Sequence, residues 1–468
     1  MIHKYTLGGY SICLDPHSGA VHLLDELSYA LLDFTGEGMG AECPASAYTA
    51  LPEYSQAEID DCYAELYALY REGALHSPDT YEPLAAHMGA APVKSMCLNI
   101  AHDCNLRCEY CFAAKGDFGQ GRKLMTLDTA KKAIDFLIEK SAGRRNLELD
   151  FFGGEPLMNF DTVKKTVEYA RSVEKDHGKN FRFTITTNGL LLDDEKIDFI
   201  NREMSNVVLS IDGRKEINDA LRLTPGGKGS YDTILPKYKK LVAGRGDKEY
   251  YVRGTFTRLN PDFTEDILSL YREGFDQISV EPVVSDRKLD FSLQEEDLPR
   301  LFSEYDRLAD TIIRIRKSGK HINFFHFMLD LDGGPCAIKR LRGCSCGNEY
   351  VAVTPEGDIY PCHQFVGMKE YVMGNLNDGT FDREMQARFA KINIYTKPKC
   401  RDCWAKFFCS GGCNANNVQY EGAVDQPHGL SCELEKKRLE CAIMIKAVLA
   451  DAQKGESAET CRTNETAE

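Results

Sequence analysis

The chain of 468 residues carries 43% hydrophobic and 28% charged residues, an ordinary globular composition with length for about three domains. Its net charge of −15 excludes a protein that grips phosphates through a positive surface, so no nucleic-acid partner is expected. No apolar run reaches the roughly 18 residues of a membrane span. The opening MIHKYTLGGYSICLD lacks a basic segment followed by a long apolar core, so no membrane partner and a cytoplasmic location are expected.

Eighteen cysteines in such a chain point to metal or redox chemistry rather than a disulfide framework. Four lie within residues 97–111 and ten within 336–441, with none between Phe112 and Pro335. Two separate sets of ligands are therefore expected.

Residues 1–85 read as a small domain. HKYTLGGYSICLD and GAVHLLD read as two short strands around a polar turn at 16–19, followed by the amphipathic ELSYALLDF. GEGMG is a turn, since no strand precedes it. A longer helix begins at Ser55, with Glu58 three residues on as in a capping box, and Ile59, Tyr63, Leu66, Leu69 and Tyr70 at helical spacing. Strands followed by helices fit a winged-helix-like module. The acidic Glu53, Glu58, Asp60, Asp61 and Glu65 favour a peptide over DNA, with a packing or dimerisation domain as the plainer reading. Residues 86–94 form a linker.

From 95 to 325 six apolar strands alternate with helical patterns: MCLNIA, LELDFFG, FRFTITT, NVVLSID, YVRGTFT and ISVEPV, with helices starting near Thr126, Phe160, Asp193, Tyr231, Pro261 and Glu295. This βα repetition predicts an α/β fold, a parallel sheet buried on both faces and a partial (β/α)6 TIM-type barrel. Barrel chemistry sits at the C-terminal ends of strands. Here those ends carry Cys104, Cys108 and Cys111, then Gly153, Gly154 and Glu155, then Asn188, then Ser210 and Asp212.

The run MCLNIAHDCNLRCEYCFA has cysteines spaced C-x3-C-x2-C. Structural zinc takes four protein ligands, whereas a [4Fe–4S] cubane on three thiolates leaves one iron open. The spacing, with Tyr110 before the last cysteine, resembles the signature of the radical S-adenosylmethionine (SAM) superfamily; half a zinc site is the plainer reading. The resemblance implies a cluster on Cys104, Cys108 and Cys111 that binds SAM and cleaves it to a 5′-deoxyadenosyl radical. FGGEP at 152–156 resembles that family's GGEP motif, which contacts the SAM amino group. By the same resemblance Asn188, Ser210, Asp212 and Arg253 are candidate SAM contacts, although Ser and Asp here also suit helix caps.

Beyond 326 the periodicity gives way to Cys344-x12-Gly357-x4-Cys362 and Cys400-x2-Cys403-x5-Cys409-x3-Cys413, then Cys432. CRDC with CSGGC reads plainly as a zinc ribbon. The whole string resembles a SPASM domain (326–450), which implies two auxiliary [4Fe–4S] clusters and, with the first, three in all. Cys400, Cys403, Cys409 and Cys432 would hold one. Cys344, Cys362 and Cys413 would hold the other, whose fourth position is open among Cys336, Cys346 and a substrate thiol. The tail 451–468 is polar and expected to be disordered.

EYVAVTPEGDIYPCHQFVG and the opening HKYTLGGYSICLD resemble the maturases of SCIFF peptides, short ribosomal precursors rich in cysteine. That resemblance implies thioether bridges from cysteine sulfur to a carbon of another residue, a leader held by the N-terminal module, and an electron donor such as ferredoxin or flavodoxin. In anaerobic sulfatase-maturating enzymes an aspartate follows the equivalent of Cys362; here it is His363, which disfavours formylglycine formation although histidine also accepts protons. Carbon–carbon crosslinking and alcohol oxidation are further SPASM-type alternatives. A winged-helix and zinc-ribbon regulator is the non-enzyme alternative, which leaves the six βα units and FGGEP unexplained.

Overall fold

The computed structural model describes residues 1–331 and 337–465; side chains at 337–338 and 453–465 are outside the description, and so is the candidate ligand Cys336. The chain opens with an antiparallel meander, β1 (His3–Leu7), β2 (Tyr10–Leu14) and β3 (Val21–Leu24), followed by α1 (Glu26–Leu31), α2 (Ala45–Ala50) and α3 (Gln56–Arg71). The first predicted strand is thus a hairpin. Gly8 and Gly9 both have positive φ (58° and 81°), the backbone that a tight two-residue hairpin turn requires. Ser55 caps α3 with the full reciprocal capping box to Glu58, and Ile59, Tyr63 and Leu66 pack on Leu31, Leu32 and Cys13.

A short α4 (Glu82–Ala86) leads to the main sheet. It runs through β4 (Ser95–His102), the two-residue β5 (Lys123–Leu124), α5 (Leu127–Lys140), β6 (Asn146–Gly153), α6 (Phe160–Val173), β7 (Asn180–Thr187), α7 (Asp194–Glu203), β8 (Asn206–Ser210), α8 (Lys215–Leu221), α9 (Tyr231–Ala243), β9 (Glu249–Phe256), α10 (Phe263–Arg272), β10 (Gln277–Pro282) and α11 (Leu298–Lys317). The six long strands are parallel and neighbour one another in sequence order. Thr126 and Asp193 cap α5 and α7 through their side chains, which is why those starts were readable.

The sheet does not end at six strands. β11 (Asn323–Phe324) joins β10 in parallel. After α12 (Ala337–Arg342), β12 (Tyr350–Val353) pairs in parallel with β4 and carries the antiparallel β13 (Asp358–Tyr360) and β14 (Gly374–Asn375). The open edge of β4, with its unpaired backbone groups, is therefore covered by the cysteine-rich segment. The 325/326 boundary is crossed by one continuous sheet.

Short helices α13 (Arg383–Ala390), α14 (Pro398–Arg401), α15 (Lys406–Cys409) and α16 (Asn414–Glu421) precede the long α17 (Gly429–Glu465). The 451–465 backbone, expected as a disordered tail, continues α17; its Ala, Glu and Lys residues are good helix formers. Met444, Ile443 and Val448 of α17 share one core with Tyr5, Leu7 and Ile12 of the N-terminal sheet and with the parallel strands of the main sheet. Among the described residues no helix is long and apolar enough to cross a membrane.

Candidate active site

The loop after β4 carries the first three cysteines, and the glycine motif after β6 holds that loop in place. Gly154 N–H donates to Ala101 O (2.8 Å) and Glu155 N–H to Asp103 O (2.9 Å). A Cβ on Gly153 or Gly154 would strike the Ala101 or Asp103 carbonyl, so the pair is glycine because two backbones touch there. Cys104, Cys108 and Cys111 all face one cavity of about 190 Å³. The Cys104 sulfur accepts from Leu106 N–H (3.4 Å) and Asn188 Nδ2 (3.5 Å). Enclosure pushes the Cys104 and Cys108 thiols up to about 12 and about 11. Such thiols ionise only if a cation replaces the lost solvation, as a metal centre does.

Glu155 lines the same cavity, with its carboxylate held by protein donors. It is 1% exposed and accepts from Leu157 N–H (3.0 Å), Thr187 Oγ1 (2.8 Å) and Asn188 N–H (2.7 Å). Burial still lifts its pKa to about 7 against those three donors.

Asp212 is likewise committed. It is fully buried and accepts the Tyr110 hydroxyl (2.6 Å to Oδ2) and Thr255 N–H (3.0 Å). Arg222, missing from the expected set, donates to the Tyr110 oxygen (2.7 Å). Asp212 does not line the cavity, whereas Tyr110, Ser210, Arg222 and Arg253 do. In this arrangement the Asp212 carboxylate holds the Tyr110 loop against the strand end at Thr255.

Arg253 of β9 pairs with Glu281 of the neighbouring β10 in the cavity wall. Enclosure opposes ionisation of Glu281, but Arg253, His326 and Arg438 outweigh it and hold its pKa down to about 2. His326 lies 3.7 Å from Glu281 and 3.0 Å from Arg438 of α17, so the cavity wall is tied to the last helix. Glu281 was legible as a carboxylate inside the apolar strand ISVEPV; Arg222 had no such signal. His363 also lines the cavity, its Nδ1 3.0 Å from the Tyr350 hydroxyl and its ring 4.9 Å from that of Phe152. Enclosure and then Arg253 lower its pKa to about 4.

The C-terminal cysteines fall into two neighbourhoods. Burial, then Glu435, then the neighbouring Cys432 and Cys400 thiols push up Cys409, and burial and then Cys403 push up Cys432. Cys362 is raised by burial and then by Cys413 and Cys344. Cys346 joins this second neighbourhood: it is 3% exposed, shares a hydrogen bond with Cys344 and accepts from Asn414 Nδ2 (3.4 Å).

Among the described residues no three His, Cys, Asp or Glu side chains converge to hold a single metal ion. Thiolates at the corners of a cubane stand apart from one another, and the residues present fit that group. All three barrel thiols face one hollow, with N–H donors on the Cys104 sulfur of the kind that stabilise cluster ligands.

The radical SAM superfamily model matches residues 98–252, and that of the SPASM iron–sulfur cluster-binding domain matches 344–404. A cysteine-type anaerobic sulfatase-maturating enzyme of Clostridium novyi is 26% identical over 334 residues, covering 67% of this chain and 86% of the relative. The structure of anSMEcpe with bound AdoMet and Cp18Cys peptide superposes with a TM-score of 0.64 at 19% identity, covering 77% of this chain and all of that one. SuiB of Streptococcus suis bound to S-adenosylmethionine gives a TM-score of 0.52 at 18% identity, covering 92% and 98%. The chain thus joins a radical SAM domain to a SPASM domain, in the fold that anaerobic sulfatase-maturating enzymes share.

Proposed function

We propose that this chain forms thioether bridges in a cysteine-rich, ribosomally made precursor peptide. One observation carries the reading: two thiol-lined places lie on connected hollows. Cys104, Cys108 and Cys111 line the first; the second shares Glu281, Pro282, Val284 and Gln364 with it and is lined by Cys409, Cys413 and Cys432. A peptide carbon beside the first and a peptide sulfur beside the second would be held within one substrate.

In this reading Cys104, Cys108 and Cys111 hold the SAM-binding [4Fe–4S] cluster. The cluster and SAM, when bound, supply the hydrogen-abstracting radical. Gly153 and Gly154 shape the backbone toward the SAM amino group, with Ser210, Asn188 and Arg253 as its further contacts, while Glu155, Tyr110 and Asp212 fix the loops. Cys400, Cys403, Cys409 and Cys432 hold one auxiliary cluster; Cys344, Cys362 and Cys413 hold the other. Its fourth position goes to Cys346, the described candidate that reaches it, or to the substrate thiol. His363, on the wall of the first hollow and next to Cys362 in sequence, is the candidate catalytic side chain beyond the cluster and SAM ligands. The N-terminal meander and helices, the winged-helix-like module of the sequence, would hold the leader. A ferredoxin or flavodoxin donor and a cytoplasmic setting complete the reading.

Formylglycine formation is the second reading, favoured by the likeness to the sulfatase-maturating enzyme. Mass spectrometry of a cysteine-rich peptide and of a sulfatase-type cysteine peptide, each incubated with reduced enzyme and SAM, separates them. A bridge removes two hydrogens and one alkylatable thiol while retaining sulfur. Formylglycine loses the sulfur and leaves a hydrazide-reactive aldehyde. Sulfur loss without bridge formation would overturn the proposal.

A further inference from the structure

Lys397 stands at the seam between the two C-terminal cysteine neighbourhoods. It is 2% exposed, and its Nζ donates to Gly411 O (2.6 Å) and Asn414 Oδ1 (2.7 Å). Gly411 lies on the short turn between Cys409 of one neighbourhood and Cys413 of the other. Asn414 in turn donates from Nδ2 to the Cys346 sulfur. The Lys397 carbonyl accepts the Cys400 N–H at 2.9 Å. One ammonium group therefore touches segments that carry thiols of both sets.

Both acceptors of that ammonium are neutral amide oxygens, and no ion pair among the described residues includes it. A buried ammonium facing only neutral groups is unfavourable unless an anion lies within the same low-dielectric surroundings. Burial lowers the Lys397 pKa, and the sulfurs of Cys400, Cys346, Cys409 and Cys413 lie close enough to oppose it. Thiols become anionic when they ligate a metal. Gly411 leaves the lysine stem room, since a Cβ there would stand 3.1 Å from Cδ.

We infer that Lys397 is the internal counter-cation of both C-terminal cysteine sets, a positioning residue whose fixed charge raises the reduction potentials of the clusters they hold. The inference rests on the cluster reading above. A positive charge held close in low dielectric favours the more negative, reduced state of a cluster. A neutral side chain of equal length withdraws that preference.

The test uses full-length protein, reconstituted anaerobically, with Cys104, Cys108 and Cys111 replaced by Ala so that only the C-terminal clusters are read. Iron per chain and midpoint potentials from an EPR-monitored redox titration are compared for this parent, Lys397→Met and Lys397→Arg. The expected result is a shift of both midpoints to more negative potential in Lys397→Met, with Lys397→Arg close to the parent. Loss of iron in Lys397→Met with retention in Lys397→Arg also supports the counter-cation. Unchanged midpoints in Lys397→Met overturn it. So does equal behaviour of Met and Arg, whether as equal shifts or equal loss of iron, because shape rather than charge would then be what matters. A parent that binds no iron defeats the cluster reading itself and the inference with it.

Discussion

The Glu155 carboxylate accepts the Asn188 backbone N–H at 2.7 Å, while the Asn188 side chain donates to the Cys104 sulfur at 3.5 Å. The glutamate of the glycine motif thus works from inside the protein. It joins the ends of β6 and β7 and, through Asn188, aims a donor at the first thiol of the cysteine loop.

Glu155→Ala leaves Leu157 N–H, Thr187 Oγ1 and Asn188 N–H without their acceptor. At about 1–3 kcal/mol for each buried group left unsatisfied, we expect a loss of at least about 2 kcal/mol in urea unfolding, with reduced iron retention at the barrel site. Glu155→Gln keeps one acceptor oxygen and should lose less. Equal stability of Glu155→Ala and wild type would contradict the role.

Tyr110, Asp212 and Arg222 form a second internal clamp, and its members should respond unequally. Asp212→Ala leaves the Arg222 guanidinium, whose side chain is 9% exposed, without its carboxylate. Breaking a buried pair in this way costs about 3–5 kcal/mol. Tyr110→Phe removes one hydroxyl and should cost about 1–2 kcal/mol. Melting curves of both variants as apoprotein check the order, and the reverse order would show that Arg222 finds another partner.

What could be read ahead of the structure was what local chemistry writes. The Ser55–Glu58 capping box, the helix starts near Thr126 and Asp193 and the six alternating strands lie within short windows, and all stand where their patterns put them. The cysteine loop was visible because its three thiols fall within eight residues, and FGGEP because close backbone approach requires its glycines. The β12–β4 pairing was not legible, since it joins residues some 250 positions apart and no local period records it. The Asp212–Tyr110–Arg222 clamp was not legible for a related reason: a carboxylate at a strand end looks the same in sequence whether it faces a ligand or an arginine. The Gly8–Gly9 turn was readable and was passed over in favour of one long strand.

Acid should weaken the fold through its buried histidines, an effect offset in part by Glu155, whose raised pKa of about 7 lets the folded chain take up a proton over the same range. Burial, as the largest cause, lowers the pKa of His326 to about 3 and those of His363 and His428 to about 4, from an ordinary value near 6.5. The unfolded chain therefore binds protons that the folded chain refuses. The stability these neutral histidines contribute is present above about pH 6.5 and is lost as pH falls toward 4, on the order of 1 kcal/mol for each histidine at pH 5.5. Urea midpoints of the apoprotein between pH 7.5 and 5 should fall, and more shallowly in His428→Gln. A flat profile would contradict the burial of these rings.

The single tryptophan of the chain, Trp404, stacks on His3 with ring centroids 3.8 Å apart. Nearby, Lys406 donates to Asp79 (2.7 Å) and so joins the segment after α3 to the loop between Cys403 and Cys409. His3→Ala should expose the indole and shift the emission of the apoprotein to longer wavelength. Lys406→Met, which leaves Asp79 with Tyr395 as its remaining side-chain donor, should enlarge the shift. Unchanged emission in both would mean that the N-terminal module stays docked through its apolar face alone.

The most direct test is iron, sulfide and zinc per chain after anaerobic purification, with SAM cleavage assayed on the same sample. Three cubanes predict about twelve irons with matching sulfide, little zinc, and 5′-deoxyadenosine formed under reduction. About four irons together with zinc would keep the radical chemistry and remove the two C-terminal clusters. Zinc alone, with no iron and no cleavage of SAM, would contradict the account at its root.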